Sequence, residues 1–63
     1  MMEKIINFLK DGEKSTSEIA SHLSKNYYDT IKILEDLKSK KIILKIELGR
    51  YTYWKIKEVE IWK

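Results

Sequence analysis

The hydrophobic periodicity of this chain changes once, near Lys41, and that change limits the folds open to it. Before this point apolar residues recur every three or four positions, as they do on one face of a helix. After it, residues 42–57 form two β-branched and aromatic runs on either side of Gly49 and Arg50, the pattern of a β-hairpin. This order predicts an α+β fold with the helices first and a two-stranded hairpin last.

The helical part divides into three segments with recognisable ends. Gly12 can supply the left-handed residue that ends the first helix. Ser15 and Glu18 have the spacing of a capping box, and Asn26 is a good cap for the third helix. The predicted helices span about residues 2–11, 16–23 and 27–40, and the predicted hairpin spans about residues 42–57.

Length and composition exclude several classes of protein. Sixty-three residues predict a single domain over residues 1–63 with a small core. The chain has no cysteine and one histidine, His22, so we expect an exposed helix histidine, no metal site, no cofactor and no small-molecule substrate. No Ser/His/Asp order or glycine-rich phosphate loop is present, so we expect no enzyme.

The composition also bears on location and source. Without a long apolar run, we expect no signal peptide and no membrane contact, and therefore the cytoplasm. The chain has no Gln and no Pro, and 37% of its residues are charged. This bias is typical of thermophile proteins, so we expect a thermophilic archaeon, or a virus or plasmid of one, as the source.

Positive charge is concentrated in the second half of the chain. Acids and lysines cancel over residues 1–25, whereas residues 38–57 hold seven cations against Glu47 alone, a net charge of +6. Such a segment favours a polyanionic partner, chiefly nucleic acid. A charged surface that is merely solvated is the alternative.

One stretch has the spacing of a helix-turn-helix. Ser15–Leu23 is similar to the first helix of that motif, with Ala20 at its small-residue position. Thr30 and Ile33 lie where the second helix packs against the first. Over residues 2–57 the chain resembles winged helix-turn-helix DNA-binding domains, of the kind found in small transcription regulators of archaea and their viruses.

The resemblance continues into the hairpin, but the usual glycine is missing from two turns. Residues 34–43 are similar to the family's passage from the recognition helix into the wing. The family usually has glycine in the tight turn between the two helices and again before the wing. Ser24 and Lys41 stand at those places here.

The resemblance implies sequence-specific binding to double-stranded DNA, with the third helix in the major groove. Arg50 at the hairpin tip would enter the minor groove, where the potential is most negative. Lys40, Lys41 and Lys45 would meet phosphates. The residues implied at and around the start of the recognition helix are Lys25, Asn26, Tyr27, Tyr28, Ile31 and Lys32.

Some of these assignments have alternatives. On a helical wheel Tyr27 and Ile31 lie at the border of the buried stripe, so they are candidates for the core as much as for DNA. Asn26 could bond an adenine edge in two places, and Lys32 could reach a guanine or a phosphate. The aromatic group of the second half is a candidate surface for stacking single-stranded bases, but in so small a domain core filler is the favoured interpretation: Tyr51, Tyr53, Trp54 and Trp62.

Two further questions concern partners. A winged helix used for protein contact, or for single-stranded nucleic acid or RNA, is the alternative to DNA binding. We expect a homodimer because one recognition helix reads few base pairs, and a monomer that pairs only on DNA is the alternative. The surfaces available for pairing would be Phe8 and the tail residues Val59, Ile61 and Trp62.

Overall fold

The computed structural model describes residues 2–57, which form three helices and one sheet. The helices are α1 (Met2–Leu9), α2 (Thr16–Leu23) and α3 (Tyr27–Ser39). The strands are β1 (Lys14–Ser15), β2 (Ile43–Leu48) and β3 (Tyr51–Ile56). The predicted α+β fold, compatible with a winged helix, is confirmed.

The sheet has three antiparallel strands where the sequence predicted two. The strand order is β1-β3-β2, and β1 pairs Lys14 with Trp54 and Ser15 with Tyr53. A strand of two residues has no periodicity to detect, and Ser15 also caps the next helix. This third strand therefore forms because tertiary packing brings the α1–α2 connection beside β3.

The ends of the helices follow from local hydrogen bonds. The capping box is confirmed: the Glu18 N–H donates to Ser15 Oγ at 3.1 Å, and the Ser15 N–H donates to Glu18 Oε1 at 2.8 Å. α1 ends at Leu9, earlier than the predicted residue 11, because the Gly12 N–H donates back to the Leu9 carbonyl at 3.0 Å. Gly12 has φ +131°, a conformation open to glycine.

Ser24 and Lys41 adopt the left-handed backbone conformation. Their φ angles are +57° and +64°, and they are the two non-glycine residues of the described chain with positive φ. Such a conformation costs an L-residue roughly 1–2 kcal/mol. The departures from glycine noted in the sequence therefore fall where glycine would relieve strain.

The three helices cover one face of the sheet and share a single core. Its members are Ile5, Leu9, Ile19, Leu23, Leu34, Leu37, Ile43 and Trp54. Trp54 of β3 is the largest of them, and its Nε1–H donates to Thr16 Oγ1 at 2.7 Å. Thr16 Oγ1 in turn donates to the Thr52 carbonyl at 3.4 Å. These bonds attach the sheet to the start of α2, which holds α3 through the helix-turn-helix.

No helix within residues 2–57 combines the length and the apolar character needed to cross a bilayer. The longest, α3, has 13 residues, and a span needs about 20.

Candidate nucleic-acid interface

The first turns of α3 present an exposed face that contains two tyrosines and a lysine. Tyr28 is 77% exposed and Tyr27 is 47% exposed, and their rings meet edge to face with centroids 6.2 Å apart. Lys32 is exposed one turn later, and Ile31 is half-buried between them. Neither Tyr27 nor Ile31 is among the residues of 2–57 that form or line the hydrophobic core. Both side chains therefore lie outside the buried stripe of α3.

Asn26 begins α3 and uses both ends of its carboxamide to do so. Its Oδ1 accepts the Asp29 N–H at 2.8 Å, and its Nδ2 donates to Asp29 Oδ2 at 3.1 Å. Reading an adenine edge would require it to give up both bonds. The geometry thus favours a capping role for Asn26 over the base contact that the resemblance implied.

Lys25 lies in the turn between α2 and α3 and is half-buried. Its backbone N–H donates to the Ala20 carbonyl at 3.0 Å, which helps to close the left-handed turn at Ser24. Its backbone therefore takes part in the turn that joins α2 to α3.

The lysines expected to meet phosphates differ in their partners. Lys40 forms an ion pair with Asp36 at 3.1 Å, with both side chains about 60% exposed (60% and 59%). An exposed pair of this kind contributes about 0–1 kcal/mol, so a phosphate can compete with Asp36 for the Lys40 ammonium.

Lys45 is held within the protein. Its Nζ lies 3.0 Å from Glu35 Oε2, 3.6 Å from Glu47 Oε2 and 5.7 Å from the centre of the Trp54 ring. The hydrogen bond to Glu35 raises the pKa of Lys45 above its ordinary 10.5. A phosphate contact, as expected from the sequence, would break this arrangement. Lys45 points to the helix side of the sheet because it alternates with the outward residues Leu44 and Ile46.

Lys41 and Arg50 are exposed, and within residues 2–57 neither forms an ion pair. Lys41 occupies the left-handed turn between α3 and β2. Arg50 follows Gly49, whose φ is +58°, in the two-residue loop between the paired residues Leu48 and Tyr51. Lys32 is likewise exposed and forms no ion pair within residues 2–57.

Two acidic residues fold onto the basic segment, which a net charge counted along the sequence does not reveal. Glu35 and Asp36 precede the basic segment in sequence, yet α3 turns their carboxylates back onto Lys45 and Lys40. The +6 of residues 38–57 therefore overstates the charge available to a partner. Spacing would have revealed the Asp36–Lys40 pair, four apart on a helix, but not the pair between α3 and β2.

The described aromatic residues of the second half lie on opposite faces of the sheet. Trp54 is 1% exposed and belongs to the core, as favoured from the sequence, while Tyr53 is half-buried and Tyr51 is 63% exposed. The rings of Tyr51 and Tyr53 lie 6.4 Å apart on the outer face of the hairpin. Trp62 lies outside the described residues.

The same outer face holds apolar residues that the sequence analysis did not single out. Leu44 and Leu48 of β2 are both exposed and lie on the side away from the helices. Their signal in the sequence is the alternation Leu44, Ile46, Leu48 with Lys45 and Glu47 between them.

Phe8 is not the free pairing surface that was expected. Its ring is half-buried against the core, is stacked on the exposed His22 at 4.0 Å between centroids, and has Lys14 Nζ 5.1 Å from its centre. The other expected surface, Val59, Ile61 and Trp62, lies outside the described residues. Residues 2–57 hold no cluster of side chains suited to a metal ion.

One protein family matches this chain. The family model, described as FaeA-like protein, aligns with residues 1–58. The match includes every residue that the structure describes, so α3 and the hairpin both fall within it. None of the curated proteins matches the sequence.

Proposed function

Because the chain belongs to the FaeA-like protein family, we propose that it binds double-stranded DNA sequence-specifically and regulates transcription. FaeA-like proteins are winged-helix regulators, which supports this function. The observation that carries the proposal is the exposed face at the start of α3, where Tyr27, Tyr28 and Lys32 lie outside the core on the second helix of the helix-turn-helix. An α-helix fits the major groove and meets base edges with its N-terminal residues.

Within this proposal α3 reads bases through two side chains. Tyr28 contacts a thymine methyl or a phosphate, and Lys32 contacts a guanine edge or a phosphate. Tyr27 supports Tyr28 through the edge-to-face contact of their rings. Ile31 supplies apolar contact beside them.

The hairpin acts as the wing and contributes mainly affinity. Arg50 enters the narrow minor groove next to the site read by α3. Lys41 binds a phosphate between helix and wing, and Lys40 exchanges Asp36 for a phosphate. Lys45 is left out of the interface because Glu35 and Glu47 hold it.

Fluorescence anisotropy with a pool of random duplexes, followed by selection of preferred sequences, tests the proposal. We expect affinity to fall with salt at a slope of roughly −2 to −4 in log–log form, since about three or four cations displace counterions. Selection should enrich a defined site. A protein that binds no duplex at low salt, or whose affinity ignores salt, would refute the proposal.

A protein-contact function is the second candidate, and the exposed apolar residues Leu44, Leu48 and Tyr51 favour it. Binding to single strands has less support, because stacking platforms use successive rings and Trp54 is buried. Competition by single-stranded DNA in the same assay distinguishes these candidate functions. A preference for single strands, or no binding to either form, would reverse the order of the candidates.

Three expectations accompany this function. A DNA-binding protein acts in the compartment that holds the DNA, the cytoplasm of an archaeal cell. The charged composition without Gln or Pro supports a thermophilic archaeal or viral source. A homodimer would let two copies of α3 read two half-sites.

A further inference from the structure

The outer edge of β2 is open in the described part of the chain. The order β1-β3-β2 places β2 at one side of the sheet, with β3 as its sole neighbour among residues 2–57. An edge strand presents a row of unpaired backbone N–H and C=O groups that can pair with another strand. Its six residues are long enough to do so.

The pairing of β2 with β3 determines which backbone groups face outwards. Leu48 and Tyr51 flank a two-residue loop, so they form a hydrogen-bonded pair, and every second pair from there does the same. The Lys57 N–H donates to the Ile42 carbonyl at 3.1 Å, which agrees with this alternation. The residues whose N–H and C=O point to the open edge are therefore Ile43, Lys45 and Glu47.

We propose that β2 pairs antiparallel with β2 of a second copy of this chain, with Ile46 of the two copies opposite each other. The segment Leu44–Leu48 reads Leu-Lys-Ile-Glu-Leu, which is apolar and charge-complementary to itself when reversed. Lys45 of each copy lies opposite Glu47 of the other, and Leu44 lies opposite Leu48. The occupant of the open edge is thus another molecule of the same protein.

Backbone parity and charge together select this register. Outward-facing residues can pair only with outward-facing residues, so shifting the pairing by one position removes the hydrogen bonds. The two nearest permitted alternatives place Lys45 opposite Lys45 or Glu47 opposite Glu47, and like charges directly opposite each other are unfavourable. With Ile46 at the centre, Lys45 of each copy forms a hydrogen-bonded pair with Glu47 of the other copy, so this favourable pair occurs twice. Charged residues at an edge usually deter pairing, but here the two charges neutralise each other across the edge.

The side chains on both faces suit the pairing. Glu47 is exposed, and its Oε2 lies 3.6 Å from Lys45 Nζ of its own strand. The Lys45 ammonium can therefore interact with Glu47 of its own strand and with Glu47 of the second copy. On the outer face Leu44 and Leu48, 41% and 57% exposed, become neighbours across the new boundary. The product is a six-stranded sheet with all helices on one face, because the two-fold axis that relates the copies is perpendicular to the sheet.

This pairing involves the protein alone and does not rest on DNA binding. It is tested without DNA, so its failure and the failure of the proposed function are separate results. Because the chain has no cysteine, one substitution introduces one thiol.

Disulfide cross-linking of Ile46→Cys tests the register. Opposite residues in a non-hydrogen-bonded pair have Cα atoms about 4.5 Å apart, within the range that a disulfide spans. The matched control is Leu44→Cys on the same face, whose two copies would be about 14 Å apart. We expect Ile46→Cys to cross-link at least about tenfold faster under mild oxidation, although Leu44 is the more exposed residue. Equal rates, or a faster Leu44→Cys, would overturn the proposal.

A mixture of Leu44→Cys and Leu48→Cys gives an independent check of the same register. These positions lie opposite each other between copies, so mixed disulfide dimers should form faster than either variant cross-links with itself. A random mixture of homodimers and heterodimers would contradict the Ile46-centred arrangement.

Sedimentation equilibrium tests the charge pairing. The unmodified chain should approach twice its 7.6 kDa mass as concentration rises to about 500 μM. Glu47→Lys places a lysine opposite Lys45 of the second copy twice, so we expect the dissociation constant to rise at least about tenfold. Glu13→Lys makes the same charge change away from β2 and should leave association unchanged. A chain that stays monomeric, or equal effects of the two variants, would refute this pairing.

Discussion

The start of α3 and the wing hairpin both carry polar and aromatic side chains, but the fold treats them differently. On α3, Tyr28 and Lys32 extend into solvent on the side away from the core. In the hairpin, Trp54 is core and Lys45 is bound by Glu35 and Glu47, while Arg50 at the tip is exposed. The helix therefore offers a polar surface that can read a partner, whereas the hairpin is structural at its base and available at its tip.

The net charge of a segment in the sequence is therefore not the charge that its folded surface presents. The hairpin belongs to the most basic part of the chain, yet the carboxylates of α3 neutralise two of its flanking and internal lysines. Lys32 lies in a more balanced part of the sequence and has no ion-pair partner within residues 2–57. We expect specificity to come from α3 and nonspecific affinity from the wing tip and the turn before it.

The largest expected effect separates the base of the hairpin from its outer face. Trp54→Ala should lower the free energy of unfolding by about 3–5 kcal/mol, because it leaves a cavity in the core and removes the bond to Thr16. Tyr51→Ala, at an exposed site three residues away, should change it by about 0.5 kcal/mol or less. Urea unfolding followed by circular dichroism measures both. Similar losses for the two variants would mean that the outer face is also structural.

The next effect concerns the reading surface of α3. Tyr28→Ala and Lys32→Ala should each reduce discrimination between the selected site and random duplex by roughly 1–3 kcal/mol, since each removes a base contact. Lys38→Ala provides an exposed lysine at the far end of the same helix and should leave discrimination intact. Anisotropy titrations on both duplexes, with circular dichroism to verify folding, give the measurement. Unchanged discrimination in both variants would favour the protein-contact function instead.

The wing tip should act on affinity rather than on base identity. Arg50→Ala should weaken binding by about 1 kcal/mol, and most strongly where A·T-rich sequence flanks the site, because a narrow groove has the most negative potential. Lys55→Ala removes an exposed cation near the far end of β3, away from the hairpin tip, and serves as the comparison. Equal losses on A·T-rich and G·C-rich flanks would place Arg50 on the phosphate backbone.

The smallest effect compares two lysines on either side of β2's start. Lys41→Gly should flatten the salt dependence by about one unit through loss of one phosphate contact. It should also raise stability by about 0.5–1 kcal/mol, since glycine accepts the left-handed conformation. Lys45→Met should leave the salt dependence unchanged because Lys45 is already paired. A flatter slope for Lys45→Met would show that DNA displaces its carboxylates.

The paired state of Lys45 adds a pH signature to that comparison. Its pKa is higher in the folded protein than the ordinary 10.5, chiefly because of the hydrogen bond to Glu35. The stability it contributes is therefore fully present below pH 10.5 and is lost as the pH rises through the folded-state pKa. The alkaline loss of stability should be smaller in Lys45→Met, as measured by thermal unfolding across this range. The same loss in both proteins would exclude Lys45 as its source.

Local signals in the sequence determined much of this fold. The capping box of Ser15 and Glu18 and the cap at Asn26 involve residues three apart, so their geometry is set within a single turn. The change of periodicity near Lys41 likewise separates helices from strands without reference to distant residues. The left-handed turns at Ser24 and Lys41 could be located by the family resemblance, because the chain departs from glycine at both places.

Contacts between residues far apart along the chain became visible only in the folded structure. The strand β1 pairs with β3 over as many as 40 positions of sequence. Lys45 pairs with Glu35, 10 positions away, and Trp54 bonds to Thr16, 38 positions away. No local pattern in the sequence indicates any of these contacts. For the same reason Phe8 proved to be occupied by His22 and Lys14, whereas the bonds that occupy Asn26 are local and run to Asp29 within one turn. Sequence determines which groups a chain possesses and how each turn begins. Packing determines which of those groups remain free, because a side chain's partners are chosen by proximity in space.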